Sequence, residues 1–172
     1  WKKDKRFISV YNKIKLLTLL DVVRLYTLWS ASNQVKNKKG IILDIGCLLG
    51  GVGFLVSKNN SQITYLIDGF SGHKEEDKFY KKGNFYFNNY KLLKINAKEL
   101  GFKKINVLKG FFPYDFKKKF KYSKIKLCHI DVNTYKSTKD SFLFIKDQII
   151  KGGYIIFDDY GTYGASSIIK VV

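Results

Sequence analysis

Methionine is missing from this 172-residue chain, and arginine, cysteine and histidine are down to two residues each. The lack of methionine, with an ending "IIKVV" that carries no polar tail, leads us to expect a portion of a longer chain. Scarce arginine qualifies the formal net charge of +18, because thirty of the 32 basic residues are lysines spread over nearly every segment. Sequence-specific contact with phosphates and bases favours the arginine fork, so the charge reads as compositional bias and no specific nucleic-acid partner is expected. Cys47 and Cys128 stand too far apart for a CxxC redox or zinc pair, which favours a reduced, cytoplasmic setting. No apolar run is long enough for a membrane span: the best, residues 15–29, contains Asp21 and Arg24. No signal-peptide pattern precedes it.

What is present describes a folded α/β chain. A hydrophobic content of 45%, with 16% aromatic residues, excludes wholesale disorder. The length suits one domain, read as an N-terminal helical region (1–36) and a core (37–172). Five short apolar runs, "GIILDIG", "QITYLIDGF", "INVLKGFF", "KIKLCHID" and "GYIIFDDYG", have the character of buried parallel strands. Helical patterns alternate with them. "NKIKLLTLLDVVRLYTLW" predicts one helix with Leu16, Leu19, Leu20 and Val23 on an apolar face, for core packing or a homo-oligomer contact. "YFNNYKLLKINAKELG" predicts a helix with Tyr90, Leu93, Ala97 and Leu100 inward and a left-handed cap at Gly101. "STKDSFLFIKDQIIKGG" predicts another, opened by a Ser137/Asp140 capping box and burying Phe142, Ile145 and Ile149. That alternation gives a mostly parallel sheet with helices on both faces. Residues 72–84 form the one plausible long loop or lid.

Ligands of such sheets gather at the carboxyl ends of the strands, where Asp44, Asp68, Asp131 and Asp158 all fall. "LDIGCLLGG" is a glycine turn between strand and helix that brings a ligand close to backbone amides. Its Gly-x-x-x-Gly-Gly spacing lacks the dinucleotide fingerprint, and Asp44 suits a ligand carrying an ammonium group, such as the methionine part of S-adenosylmethionine. Asp68 ends the next strand, where a carboxylate accepts hydrogen bonds from both ribose hydroxyls of a nucleoside. Asp131, Asp158 and Asp159 converge if the fourth and fifth strands are neighbours. Their mutual repulsion then calls for a cation, and an all-oxygen set points to Mg²⁺ before Ca²⁺ or Mn²⁺.

In the order "LDIGCLLGG", "IDGFSG", "LKGFFPYDF", "CHIDVNTYKST", "GGYIIFDDYG", from residue 40 to about 164, the chain resembles the metal-dependent macrocin-type O-methyltransferases. These are bacterial enzymes that methylate sugar hydroxyls of natural products with S-adenosylmethionine. The resemblance implies a Rossmann-like class I methyltransferase fold, here ending before the last strands of the full sheet. It implies that Asp44, Gly46, Gly50 and Gly51 hold the methionine end of the cofactor and Asp68 the ribose, with Phe70, Ser71 and Asp131 also at the cofactor. Gly110 and Phe111 would border the adenine, and Asp131, Asp158 and Asp159 would act catalytically through Mg²⁺. The acceptor would be a small molecule containing a sugar. Two departures stand out: Leu48 and Leu49 replace larger or charged residues in the first turn, and Asn133 replaces a common second Asp.

The expected chemistry aligns an alcohol oxygen, a methyl carbon and a sulfur and eases loss of the hydroxyl proton. No residue stands out as the general base. His129 is read as structural, His73 as a lid residue, Lys136 and Lys139 as open, and Tyr160 as a stacking surface. An NAD-dependent oxidoreductase, an RNA methyltransferase and a noncatalytic scaffold of the same fold are the alternatives.

Overall fold

The computed structural model describes residues 1–76, 78–161 and 166–171, so position 77 of the expected lid and positions 162–165 and 172 lie outside what is described. Two helices, α1 (Lys5–Ile14) and α2 (Val22–Gln34), lead into β1 (Ile41–Ile45). There follow α3 (Gly51–Ser57), β2 (Thr64–Asp68), α4 (Tyr90–Glu99), β3 (Ile105–Lys109), the short α5 (Lys117–Phe120) and β4 (Ile125–Ile130). The chain continues through α6 (Tyr135–Ile145), one tight turn over Lys146–Gln148, β5 (Ile149–Phe157) and the short α7 (Ser166–Ile169). Among the described residues the four strand pairings are parallel and the spatial order is β3-β2-β1-β4-β5. The order reverses beside β1, so the clefts beyond the carboxyl ends of β1, β2 and β4 open together, where parallel sheets bind ligands.

Both faces of the sheet are covered, as the alternation of apolar runs requires. On one face α1 to α4 pack on Ile42, Leu66, Val107 and Leu127, with Phe7, Leu25, Trp29, Phe54 and Leu93 in the same cluster. On the other, Phe112, Phe116, Phe120 and Ile145 cover Leu43, Ile45, Ile67, Cys128 and Ile130. The alternation along β1 is therefore Ile42 to one side, Leu43 and Ile45 to the other, leaving Asp44 on the α1–α4 side.

The expected single N-terminal helix is instead two. Asp21 interrupts it: its Oδ1 accepts from Val23 N (2.8 Å) and Arg24 N (3.0 Å), the N-cap arrangement that starts a new helix. Thr18 reinforces the break by accepting from Leu20 N. Of the four residues expected on an apolar face, Leu16 and Leu19 are exposed in the loop between the two helices, and Val23 is exposed in the first turn of α2. The last long helix also differs. It begins at Tyr135 after Thr134, so Ser137 lies within it and caps nothing, and Ile149 opens β5. α4 forms as expected, with Leu93 and Ala97 buried, Tyr90 and Leu100 half-buried, and Gly101 at φ +77° just beyond its end.

Candidate active site

One cavity runs along the carboxyl ends of β1, β2 and β4. Its wall includes Asp44, Gly46, Leu48, Asp68, Gly110, Phe111, His129, Asp131 and Asn133. Gly46 makes the central turn possible. It sits at φ +85°, and a Cβ there would lie 1.8 Å from the carbonyl oxygen of Asp131, so only glycine lets the β1 turn meet the end of β4. The backbone at this meeting is itself bonded: Gly46 N donates to Ile67 O (2.8 Å), and Asp131 N to Ile45 O (2.8 Å).

Asp68 is fixed from two sides. Leu48 N donates to its Oδ2 (2.9 Å) and Phe70 N to its Oδ1 (2.7 Å). Burial raises its pKa, with these two amides pulling the other way. Each oxygen keeps a further lone pair for a ligand. Phe70 itself turns away, buried against Tyr90, and neither it nor Ser71 is on the cavity wall. Gly50 and Gly51 are likewise off the wall. Gly50 sits among Leu66, Leu93 and Phe54, and Gly51 donates to Leu17 O (2.9 Å), drawing the segment from Leu17 to Leu20 onto the cavity.

Asp44 and His129 are opposite one another in the β1–β4 register and both are closed to solvent. His129 Nδ1 and Asp44 Oδ1 are 2.9 Å apart. Burial lowers the His129 pKa, but the Asp44 bond and the nearby carboxylates outweigh it, and the net shift is upward. The far atoms of the pair, Asp44 Oδ2 and His129 Nε2, are buried without a hydrogen-bond partner, as is Asn133 Oδ1 on the same cavity wall. Buried polar atoms are nearly always satisfied, so these three on the cavity wall are left to bond water or a polar ligand.

Asp131, Asp158 and Asp159 do meet: one carboxylate oxygen from each lies within 4.8 Å of the other two. Burial, reinforced by the two neighbouring carboxylates and opposed by His129, pushes the Asp131 pKa up to about 7. Burial and Asp158 also raise that of Asp159, with Arg24 opposing. A cation from the protein stands beside them. Arg24 Nη1 donates to Asp158 Oδ2 (2.9 Å) and Asp159 Oδ1 (3.3 Å), and its Nε to Asp21 Oδ2 (2.9 Å). Sequence reasoning missed this contact, which joins residues 134 and 135 positions apart.

At the mouth, Lys74 Nζ lies 4.1 Å from the centre of the Tyr114 ring and 5.6 Å from that of Phe111. Lys136 donates to the Tyr114 hydroxyl and to Asp140 Oδ2, both at 2.6 Å, which raises its own pKa and lowers that of Asp140. Gly72, His73 and Asn84 of the expected lid reach the wall, whereas Tyr160 is exposed and off it.

The sequence model of the macrocin-O-methyltransferase (TylF) family matches residues 17–170. The chain belongs to this family. As a TylF-family O-methyltransferase it has the fold of its solved neighbours. The O-methyltransferase NovP superposes with a TM-score of 0.74 at 18% identity, covering 90% of this chain and 72% of NovP. The calicheamicin methyltransferase CalS11 gives 0.74 at 14%, covering 98% and 83%. An O-methyltransferase from Bacillus cereus, solved in complex with SAH, gives 0.65 at 14%, covering 98% and 77%. No curated protein sequence matches the chain. Among the described residues of this TylF-family chain, no helix is long and apolar enough to cross a membrane.

Proposed function

We propose that this TylF-family enzyme transfers the methyl group of S-adenosylmethionine to a hydroxyl of a sugar-bearing small molecule, with a divalent ion, Mg²⁺ first, on Asp131, Asp158 and Asp159. The observation that carries the reading is the pairing of two sites on one rim: a cavity with unsatisfied polar atoms, and three carboxylates whose oxygens fall within 4.8 Å of one another.

The residues present fit both groups. Asp44 Oδ2, buried and unpartnered, is the acceptor an ammonium group needs. Asp68, preset by two backbone amides, has lone pairs left for ribose hydroxyls. Gly110 and Phe111 line the cavity next to Asp68, where a flat base is accommodated by an aromatic edge and bare backbone. Three carboxylates, with no sulfur or imidazole in the cluster among the described residues, form a hard-ion donor set.

Methyl transfer forms an oxygen–carbon bond, breaks a sulfur–carbon bond and leaves the hydroxyl proton to be taken up. A divalent ion would supply Lewis acidity, orienting adjacent hydroxyls and lowering the pKa of the one it touches. The protein's part is placement and exclusion of water. Asp44, anchored by His129, and Asp68, anchored by the Leu48 and Phe70 amides, hold the donor from two strands. Leu17 to Leu20 and Phe111 give the cavity its apolar walls. Asn133 offers the acceptor a neutral hydrogen-bonding oxygen next to Asp131. That the acceptor bears a sugar is supported by one neighbour of the same fold, solved twice: CalS11 is described as a calicheamicin methyltransferase and as a TDP-rhamnose 3'-O-methyltransferase.

The test is methyl uptake from radiolabelled S-adenosylmethionine by a panel of nucleotide sugars and glycosylated natural products, with Mg²⁺ or with EDTA. Transfer to a sugar hydroxyl, lost in EDTA and in Asp158→Ala while SAH still binds, is the expected result. Transfer undiminished in EDTA would remove the metal from the reading, and no transfer to any sugar would remove the acceptor class.

A further inference from the structure

We propose that Arg24 is a placeholder cation for the acidic cluster, holding Asp158 and Asp159 while no metal is bound and releasing them when a divalent ion enters. The inference rests on the metal reading above and adds that the site's affinity is set by a residue of α2 that would not itself ligate the ion.

Arg24 and an entering ion would draw on the same two carboxylates. Arg24 Nη1 lies 2.9 Å from Asp158 Oδ2 and 3.3 Å from Asp159 Oδ1, and both residues belong to the cluster an ion would use. An ion about 2.1 Å from Asp158 Oδ2 would lie no more than about 5 Å from the guanidinium nitrogen, which is 2.9 Å from that oxygen. Asp158 is only 8% exposed, so water does little to screen the two like charges. The two cations therefore compete for the same carboxylate charge.

Arg24 is built to be the one that moves. Its side chain is 41% exposed, and its Nε already has a second carboxylate, Asp21 Oδ2 at 2.9 Å, on its own helix turn. Leaving Asp158 and Asp159 costs it two contacts but not its charge partner. Asp131, the third member, makes no contact with Arg24 and already stands in the cluster.

A scaffolding arginine and a placeholder predict effects of opposite sign. If Arg24 only braces the two carboxylates, removing it disorders them and weakens metal binding. If it competes, removing it strengthens metal binding. The experiment strips the full chain with EDTA and measures Mn²⁺ binding by calorimetry and by the spin-resonance signal of free Mn²⁺, with Mg²⁺ in competition. The placeholder predicts that Arg24→Gln lowers the Mn²⁺ dissociation constant about tenfold or more and leaves SAH affinity within about twofold. An unchanged or weakened Mn²⁺ affinity overturns it.

A second readout needs no variant. Arg6 and Arg24 are the only arginines, so their two side-chain Nε–H signals in a nitrogen-15 spectrum are separable. Saturating Mg²⁺ should shift the Arg24 signal and leave that of Arg6 in place; a stationary Arg24 signal with Mg²⁺ bound overturns the proposal. Failure of the metal reading looks different: neither wild type nor Arg24→Gln would bind Mn²⁺ at all, and both inferences would then fall together.

Discussion

Replacing Asp131 by asparagine should make the metal-free protein more stable, with a gain that depends on pH. Burial and the adjacent Asp158 and Asp159 carboxylates raise the Asp131 pKa from the ordinary 3.8 to about 7. Between those values the folded chain keeps a proton that the unfolded chain has lost, so stability falls as pH rises through this window. At about 1.36 kcal/mol per pH unit the ceiling is about 4 kcal/mol. Water reaches part of the Asp131 side chain, which screens the repulsion and brings our expectation to about 2 kcal/mol. Asparagine has nearly the same shape and no proton to lose. Urea unfolding in EDTA should therefore give the two proteins similar stabilities at pH 4 and a lead for Asp131→Asn that grows to about 2 kcal/mol by pH 8. Mg²⁺ should reverse the order, because only the carboxylate gains from the ion. A variant less stable than wild type at pH 8 in EDTA, or a difference that does not change with pH, would refute the electrostatic account of the cluster.

Asp68→Asn should weaken SAH binding by about 1.5 to 3 kcal/mol, the worth of a hydrogen bond to a charged group, since the amide must also turn an NH₂ toward Leu48 N or Phe70 N; isothermal calorimetry reads it directly. Gly51→Ala places a methyl 2.5 Å from the carbonyl oxygen of Leu17, and we expect a loss of about 1 to 3 kcal/mol in urea unfolding together with weaker SAH binding, because the loop it displaces forms the cavity wall. Asp44→Asn should leave the His129 partnership in place but lower SAH affinity about tenfold or more, through the lost charge on Oδ2; equal affinity would move the donor's ammonium group elsewhere.

The strands were legible in the sequence because each is a short apolar run bounded by glycine or polar residues, and burial on both faces leaves no other use for "GIILDIG" or "KIKLCHID". Their carboxyl-terminal aspartates followed from position alone. The N-terminal break was not legible from periodicity, since the apolar spacing runs unbroken from Ile14 through Val23. The signal was Asp21, whose capping bonds to Val23 and Arg24 outweigh the continued pattern. Ile149 was misplaced for a similar reason: "DQII" carries on a helical spacing, and the change to strand is set by pairing of Ile149 with Ile125 across β4. The Asp44–His129 pair needed the strand order, because only the β1–β4 register puts those two residues side by side. Arg24 needed three dimensions altogether, although an arginine three residues after a capping aspartate, in a chain with thirty lysines, was a visible oddity.

The hydrogen bond from Gly51 to Leu17 ties the first turn of α3 to a stretch that precedes the sheet altogether. Shortening the chain to begin at β1 would take away Leu17 to Leu20 and, with Arg24, the counter-ion of Asp158 and Asp159. What remained would keep every strand and still have a cavity open on one side and an uncompensated acidic rim. The loop between the opening helices is thus a wall of the cavity, and a shortened enzyme should be judged by ligand affinity before its folded state is taken as success.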